Sequence, residues 1–176
     1  MTRFEELCAF QAYVLYALML LPESHGSGSA LDASVVFNLQ EFACSFAQSG
    51  LVCPAEQTAA RPDWESWVIA EAKRRTLYVM YLLDDVVNTL SGSICVLGEE
   101  LSVLPLTCSK TLWHAATKEV WQKAYNRFLG ADAFLYMNDL WHTADTTSSK
   151  KMDQWLASTD ELGLMIYTIA TVTHTR

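Results

Sequence analysis

Residues 77 to 83 read LYVMYLL, seven apolar or aromatic side chains in an unbroken run. At about 3.6 residues per turn such a run is apolar on every face of a helix, and a helix of that kind must be enclosed by other elements. The flanking residues set its limits. Stepping by three and four from Trp64 passes Trp67, Val68, Glu71, Arg75, Tyr78, Leu82 and Val86, an aromatic and aliphatic stripe with a Glu71 to Arg75 pair one turn apart inside it. Asp63 stands where an N-cap carboxylate belongs, and Ser-Gly-Ser follows Leu90. The pattern predicts one helix from about Asp63 to Leu90, central and the most buried.

The remaining segments read as helices that enclose it. Phe4, Leu7, Val14, Leu18 and Leu21 mark a first helix from about Phe4 to Leu21, broken by PESHGSGSALD. Val35, Val36, Leu39, Phe42, Ala43 and Phe46 mark a second, closed at Gly50. LVCPAEQTAARP is a loop and SICVLGEELSVLPLT an extended connection. Ser109 caps a helix through Leu129, closed by Gly130; residues 131–144 form another; and Ser158 with Glu161 has capping-box spacing ahead of a last one, after DTTSSKK. With 51% hydrophobic residues in 176 and no internal repeat, the chain suits one domain, residues 1–176. The expected fold is all-α, a compact bundle of about six or seven helices around the long central one.

Charge and motifs exclude several functions. Twelve Lys and Arg against twenty Asp and Glu give a formal charge of −8, the wrong sign for neutralising phosphates, so no direct nucleic-acid binding is expected. The longest apolar runs, YVLYALMLL and LYVMYLL, fall well short of the roughly 20 residues that span a bilayer, and the acidic start MTRFEEL is unlike a signal peptide. Five cysteines with no paired short spacing point to reduced thiols in an intracellular compartment. Cys44 and Cys53 are the closest pair and His25, His114, His142 and His174 are scattered, so no metal site is expected. No phosphate loop, dinucleotide fingerprint, nucleophile elbow or HExxH occurs, and no cofactor is expected.

DWESWVIAEAKRRTLYVMYLLDDVVNTLSG followed by LPLTCSKTLWHAATKEVW resembles the middle homology region of fungal-specific transcription factors. The residues that carry the resemblance are Trp64 and Trp67, Glu71 with Arg74 and Arg75, Leu83 with Asp84, Leu104 with Pro105, and the Trp113 to Trp121 spacing. FQAYVLYALMLL and LQEFACSFAQSGL resemble that domain's first helices and STDELGLMIYTIATVTHTR a later one. The resemblance implies a helical regulatory domain that lies downstream of a zinc cluster or zinc finger. The clustered cysteines such a DNA-reading module needs are missing from this sequence, so the chain reads as a core fragment of a regulator, detached from that module.

Asp84 follows the all-apolar run, so its carboxylate is expected to point inward and meet a donor from residues 104–114, with Asp85 at the helix edge. Glu71, Arg74 and Arg75 read as an ion-pair set, or else an anion site, and Lys73 to Arg75 as a solvated or salt-bridged face. Trp64, Trp67, Trp113 and Trp121 read as core packing.

Two function classes follow. One is a transcription-factor-like regulatory domain that binds an effector, either a small hydrophobic molecule or a partner protein, and acts in the nucleus. The other is a cytoplasmic enzyme or small-molecule binding protein of fungal secondary metabolism, for example a cyclase, that reuses the fold. In both, Trp67, Tyr78, Tyr81, Trp113, Tyr136 and Trp141 are the candidate ligand-binding walls. In the second, Asp84, His114 and His142 are the candidate catalytic groups.

Overall fold

The computed structural model describes residues 2–27, 33–48, 50–90, 92, 101–130, 134–142 and 146–174. Among them are nine helices: α1 (Arg3–Ser27), α2 (Ala33–Gln48), α3 (Pro54–Gln57), α4 (Trp64–Leu90), α5 (Lys110–Trp113), α6 (Lys118–Gly130), α7 (Met137–Trp141), α8 (Thr146–Ser158) and α9 (Glu161–His174). Six are long and three are single turns, so the expected all-α bundle forms, with the single turns taking the count above the six or seven expected.

α4 has the limits its sequence predicts. The Asp63 carboxylate accepts the Ser66 backbone N–H at 3.2 Å, the N-cap bond. Past Leu90, Gly92 takes a φ of +67°, a left-handed conformation that glycine adopts without steric cost. Gly50, at φ +90°, plays the expected part after α2. α1 and α2 pack on one side of α4, and α6 and α9 against others.

Each side of α4 feeds a different part of the core. Ala72, Leu77 and Leu83 meet Leu7, Phe10, Val14, Leu39 and Phe46 of α1 and α2. Tyr78, Tyr81 and Leu82 meet Leu104, Met137, Trp155 and Ile166. Trp67 and Ala70 meet Leu112, Trp121 and Tyr125, where Trp67 and Trp121 lie 5.3 Å apart, ring centre to ring centre. Burying one such aromatic or aliphatic side chain contributes about 1.5–3 kcal/mol.

Tyr81 and Leu82 are both buried, as the apolar run requires. The deepest continuous stretch is nevertheless Ala70 to Tyr78, beginning about two turns earlier, and it carries Glu71, Lys73, Arg74 and Arg75. Lys73 lies under the Phe46 ring, 4.8 Å from its centre. The basic triplet is therefore interior, not a solvated face.

Five local expectations are corrected. α1 continues past Leu21 through Pro22 to Ser27, since proline biases against a helix without forbidding its resumption. The helix expected from Ser109 to Leu129 is two, because Thr117 restarts it: its carbonyl accepts the Trp121 N–H at 3.0 Å and its hydroxyl the Val120 N–H at 3.3 Å. Within residues 131–144, only Met137–Trp141 is helical among those described. Residues 135–137 instead pair with 104–106 around an antiparallel bridge of Pro105 and Tyr136, with Leu106 N–H to Leu135 O at 2.9 Å and Met137 N–H to Leu104 O at 3.0 Å. The Ser158 hydroxyl turns back onto Gln154 and Trp155 carbonyls, and Asp160 caps α9 by accepting the Gly163 N–H at 3.2 Å. Residues 146–151, read as a connection, belong to α8.

Among the described residues no helix is long and apolar enough to cross a membrane.

Candidate functional site

Glu71, Arg74 and Arg75 share one face of α4 and build a buried ion network with two carboxylates from distant segments. Arg74 has five N–H donors, and every one is taken. Nε and Nη2 donate to Glu71 Oε2 at 3.0 and 2.8 Å, Nη2 and Nη1 to Glu56 Oε1 and Oε2 at 3.1 and 3.0 Å, and Nη1 also to the Leu51 carbonyl at 3.1 Å. Glu56 is placed by its own turn: in Cys-Pro-Ala-Glu it closes the start of α3, accepting the Cys53 N–H at 2.8 Å.

The network reaches two further elements. Glu71 Oε1 accepts the Cys108 N–H at 3.0 Å and so ties residues 104–109 to α4. Arg75 pairs with Asp160 at the start of α9, donating from Nη1 at 2.9 Å and from Nη2, while its guanidinium lies 4.5 Å from the Trp113 ring centre. Tyr78 adds a hydroxyl within 3.3 Å of the Leu104 and Pro105 carbonyls.

Electrostatics follow from this crowding. Burial alone would lower the Arg74 pKa, but the Glu71 and Glu56 carboxylates outweigh it and raise the value. Burial first, then the Glu56 charge, pushes the Cys53 thiol up to about 11. Burial and then Glu71 hold Cys108 well above its ordinary value. Both thiols are thereby kept from the thiolate form that a nucleophile needs. Every carboxylate oxygen of Glu56 and Glu71 already accepts a hydrogen bond. The network is built to hold elements together, not to move protons.

Beside it lies a cavity of about 280 Å³. Glu56, Glu71 and Arg74 form its polar wall, and Trp67, Tyr125, Phe128, Phe134 and Trp155 supply aromatic ones. Phe128 and Phe134 meet edge to face at 4.7 Å, and the Trp155 indole N–H donates to the Thr107 carbonyl at 2.9 Å. Two hydroxyls on the lining, of Thr107 and Tyr125, are buried and have no hydrogen-bond partner among the described residues. A second cavity of about 460 Å³, between α1, α4, α5 and the start of α9, is lined by Val14, Leu18, Thr76, Trp113 and Leu162 among others.

Comparison of the chain with protein-family models, with curated proteins and with solved structures finds no match.

The structure brings only part of the expected site together. Trp67 lines the first cavity and Trp113 the second. Tyr78 and Tyr81 are core residues, Trp141 packs partly buried against the same cluster, and Tyr136 is 40% exposed with its backbone in the bridge. His114 ends α5 and His142 follows α7, both exposed. None of Asp84, His114 and His142 lines either cavity.

Asp84 and Asp85 exchange their expected places. Asp84 is half-buried and accepts only a local bond, from Asn88 Nδ2 at 3.0 Å, while Asp85 is buried. The reason is phase: Asp85 stands four and three positions after Tyr81 and Leu82, on the stripe that faces the core. Residues 104–109 do meet α4, but through Glu71 and Tyr78.

Sequence reasoning missed Tyr125, Phe128, Phe134, Trp155 and Thr107. Trp121, Tyr125 and Phe128 have i, i+4, i+7 spacing, which marks one helical face and was available as a signal. Glu56 and Asp160 sit in short capping patterns that gave no hint of partners 18 and 85 positions away.

Proposed function

We propose that the chain is a regulatory helical domain that binds a small, largely apolar effector in the cavity between α4, α6, α8 and residues 104–109. It would act like the fungal transcription factor domain its sequence resembles. The observation that carries this reading is the cavity itself: aromatic walls with two buried hydroxyls that lack partners among the described residues, the composition of a small-molecule site. The ion network gives the site a rigid wall, because Arg74 is saturated and fixed by α3 and α4 together. Nuclear action follows from the same reading, which assigns DNA contact to a separate zinc-binding module.

A thermal-shift screen of small aromatic compounds tests it. Binders should stabilise the parent and lose that effect in Ala124→Phe, which narrows the cavity from α6. Chromatography of the bound compound then separates the two function classes: a regulator returns it unchanged, an enzyme returns a product. Stabilisation equal in parent and Ala124→Phe would place the ligand elsewhere and defeat the proposal.

A further inference from the structure

From Leu7 to Pro22 the sequence of α1 holds no charged residue. A helix with one face in the core ordinarily carries charges on the other. α6 does so: its exposed positions hold Lys118, Glu119, Lys123, Asn126 and Arg127 beside Val120. On α1 the positions past Glu6 that are exposed are instead Cys8, Ala12, Leu15, Tyr16 and Met19, and Phe4 stands a turn before Cys8, so steps of three and four join them into one apolar stripe. α9 repeats the pattern, with no charged residue from Leu162 to Thr173 and with Leu164 and Met165 about half exposed. The two helices flank α4 at the same level. Gln11 donates to the Thr76 hydroxyl at 3.2 Å, Asp160 pairs with Arg75 one position away, and the second cavity lies between them.

Phe4, Leu15, Tyr16, Met19, Leu164 and Met165 are about half to three-quarters exposed. At roughly 150–250 Å² for a whole large side chain they leave roughly 600 Å² of apolar surface open on one copy, and two copies would bury roughly 1,200 Å², where specific interfaces begin. Charge limits what can cover the stripe. The chain is net −8 and the stripe starts beside Glu5 and Glu6, whereas helices that lie on lipid surfaces carry Lys and Arg along their polar face. Two copies of such a chain repel at long range, and their approach costs least on a face without charge. An antiparallel pairing of α1 with itself also keeps the two acidic starts at opposite ends.

We infer that the α1 stripe is the interface of a two-fold homodimer, in which α1 packs antiparallel on α1 of a second copy about an axis between Gln11 and Ala12. Phe4 then meets Met19 of the second copy, Cys8 meets its Leu15, and the small Ala12 lets the backbones approach. Leu164 and Met165 of α9 lie at the margin. The dimer is independent of the aromatic cavity and of its occupant.

Sedimentation equilibrium of the full chain over about 1 to 100 µM tests it, because the dimer fraction depends on protomer concentration. The mass should rise from 19.7 kDa toward twice that value. Leu15→Lys/Met19→Glu changes two exposed positions at constant net charge; it should stay folded by circular dichroism and weaken the dimer by about a hundredfold or more. The native thiols give a readout that needs no substitution. In dilute protein Cys8 and Cys44 are both open, and at the concentrated end maleimide labelling of Cys8 should slow about tenfold relative to Cys44, which lies on α2 outside the stripe. A parent that stays at 19.7 kDa throughout assigns the stripe to another occupant, a different protein or a lipid surface, and overturns the proposal. So does a double variant as dimeric as the parent, or a dimer that leaves Cys8 as reactive as Cys44.

Discussion

Arg75 in α4 and Asp160 at the start of α9 form a buried ion pair across 85 positions of sequence, and Asp160 divides its carboxylate between two tasks. One oxygen takes the Arg75 guanidinium and the other caps α9 through the Gly163 N–H. Asp160→Asn preserves the cap, since asparagine caps about as well as aspartate, and removes the charge partner. It should destabilise the fold by about 3 kcal/mol, the cost of orphaning a buried charge, moderated by Glu71 and the Trp113 ring. Asp160→Ala should lose about 1 kcal/mol more for the cap. Urea unfolding of both variants measures the two parts, and an Asp160→Asn protein as stable as the parent would show the pair to be idle.

Arg74→Lys keeps the charge and abandons the planar fork. Lysine offers three donors from one nitrogen, so the paired bonds to Glu56 and the bond to Leu51 cannot all survive. A loss of about 2–4 kcal/mol is expected. A change below about 0.5 kcal/mol in the unfolding free energy would mean the bidentate geometry has no energetic role.

Much of this architecture is readable in one dimension because it is local. Asp63, the stripe through Trp67 and Tyr78, and the glycine after Leu90 delimit α4 without reference to any other segment. What escapes is non-local or a matter of phase. Residues 135–137 are held by pairing with 104–106, which no property of the 131–144 segment announces. Glu71, Arg74 and Arg75 are recognisable as an ion-pair set, but their complete burial depends on Glu56 and Asp160, each delivered by its own helix cap. One side of the cavity comes from the segments that carry the family resemblance, but Tyr125, Phe128, Phe134 and Trp155 lie beyond them.

Asp84 now makes a prediction opposite to that of a buried structural carboxylate. Burial, and after it the neighbouring Asp85 charge, raises its pKa in the folded chain, against a smaller lowering by Asn88. The folded state thus holds this proton more tightly than the unfolded chain does. Its stabilising contribution is present at low pH and lost as pH rises through the folded-state titration, so ionised Asp84 opposes folding at pH 7. Asp84→Asn should be at least as stable as the parent at pH 7, with the difference shrinking below the ordinary carboxylate value of about 3.9. Denaturant melts across pH 3 to 7 check the sign, and an Asp84→Asn protein less stable at pH 7 than at pH 3 relative to the parent would refute it.

Cysteine reactivity should divide by environment. Cys8 and Cys44 are exposed, whereas Cys53 is buried with its thiol near 11 and Cys108 is held higher than usual by burial and Glu71. Among these four described cysteines, maleimide labelling at pH 7.5, mapped by peptide mass spectrometry, should mark Cys8 and Cys44 first and reach Cys53 and Cys108 only on unfolding. Early modification of Cys108 would mean that residues 104–109 leave Glu71 in the folded protein.

The claim on which the functional account rests is that a small aromatic molecule enters between α4, α6 and α8. Tryptophan side chains stand at both cavities and report on each separately: Trp67 and Trp155 at the first, Trp113 at the second. The most direct measurement follows the indole N–H resonances in a nitrogen-15 labelled sample titrated with 2-naphthol, a small aromatic probe with one hydroxyl. The account predicts progressive shifts of Trp67 and Trp155 with Trp113 unmoved. Shifts confined to Trp113, or none at saturating ligand, would contradict it.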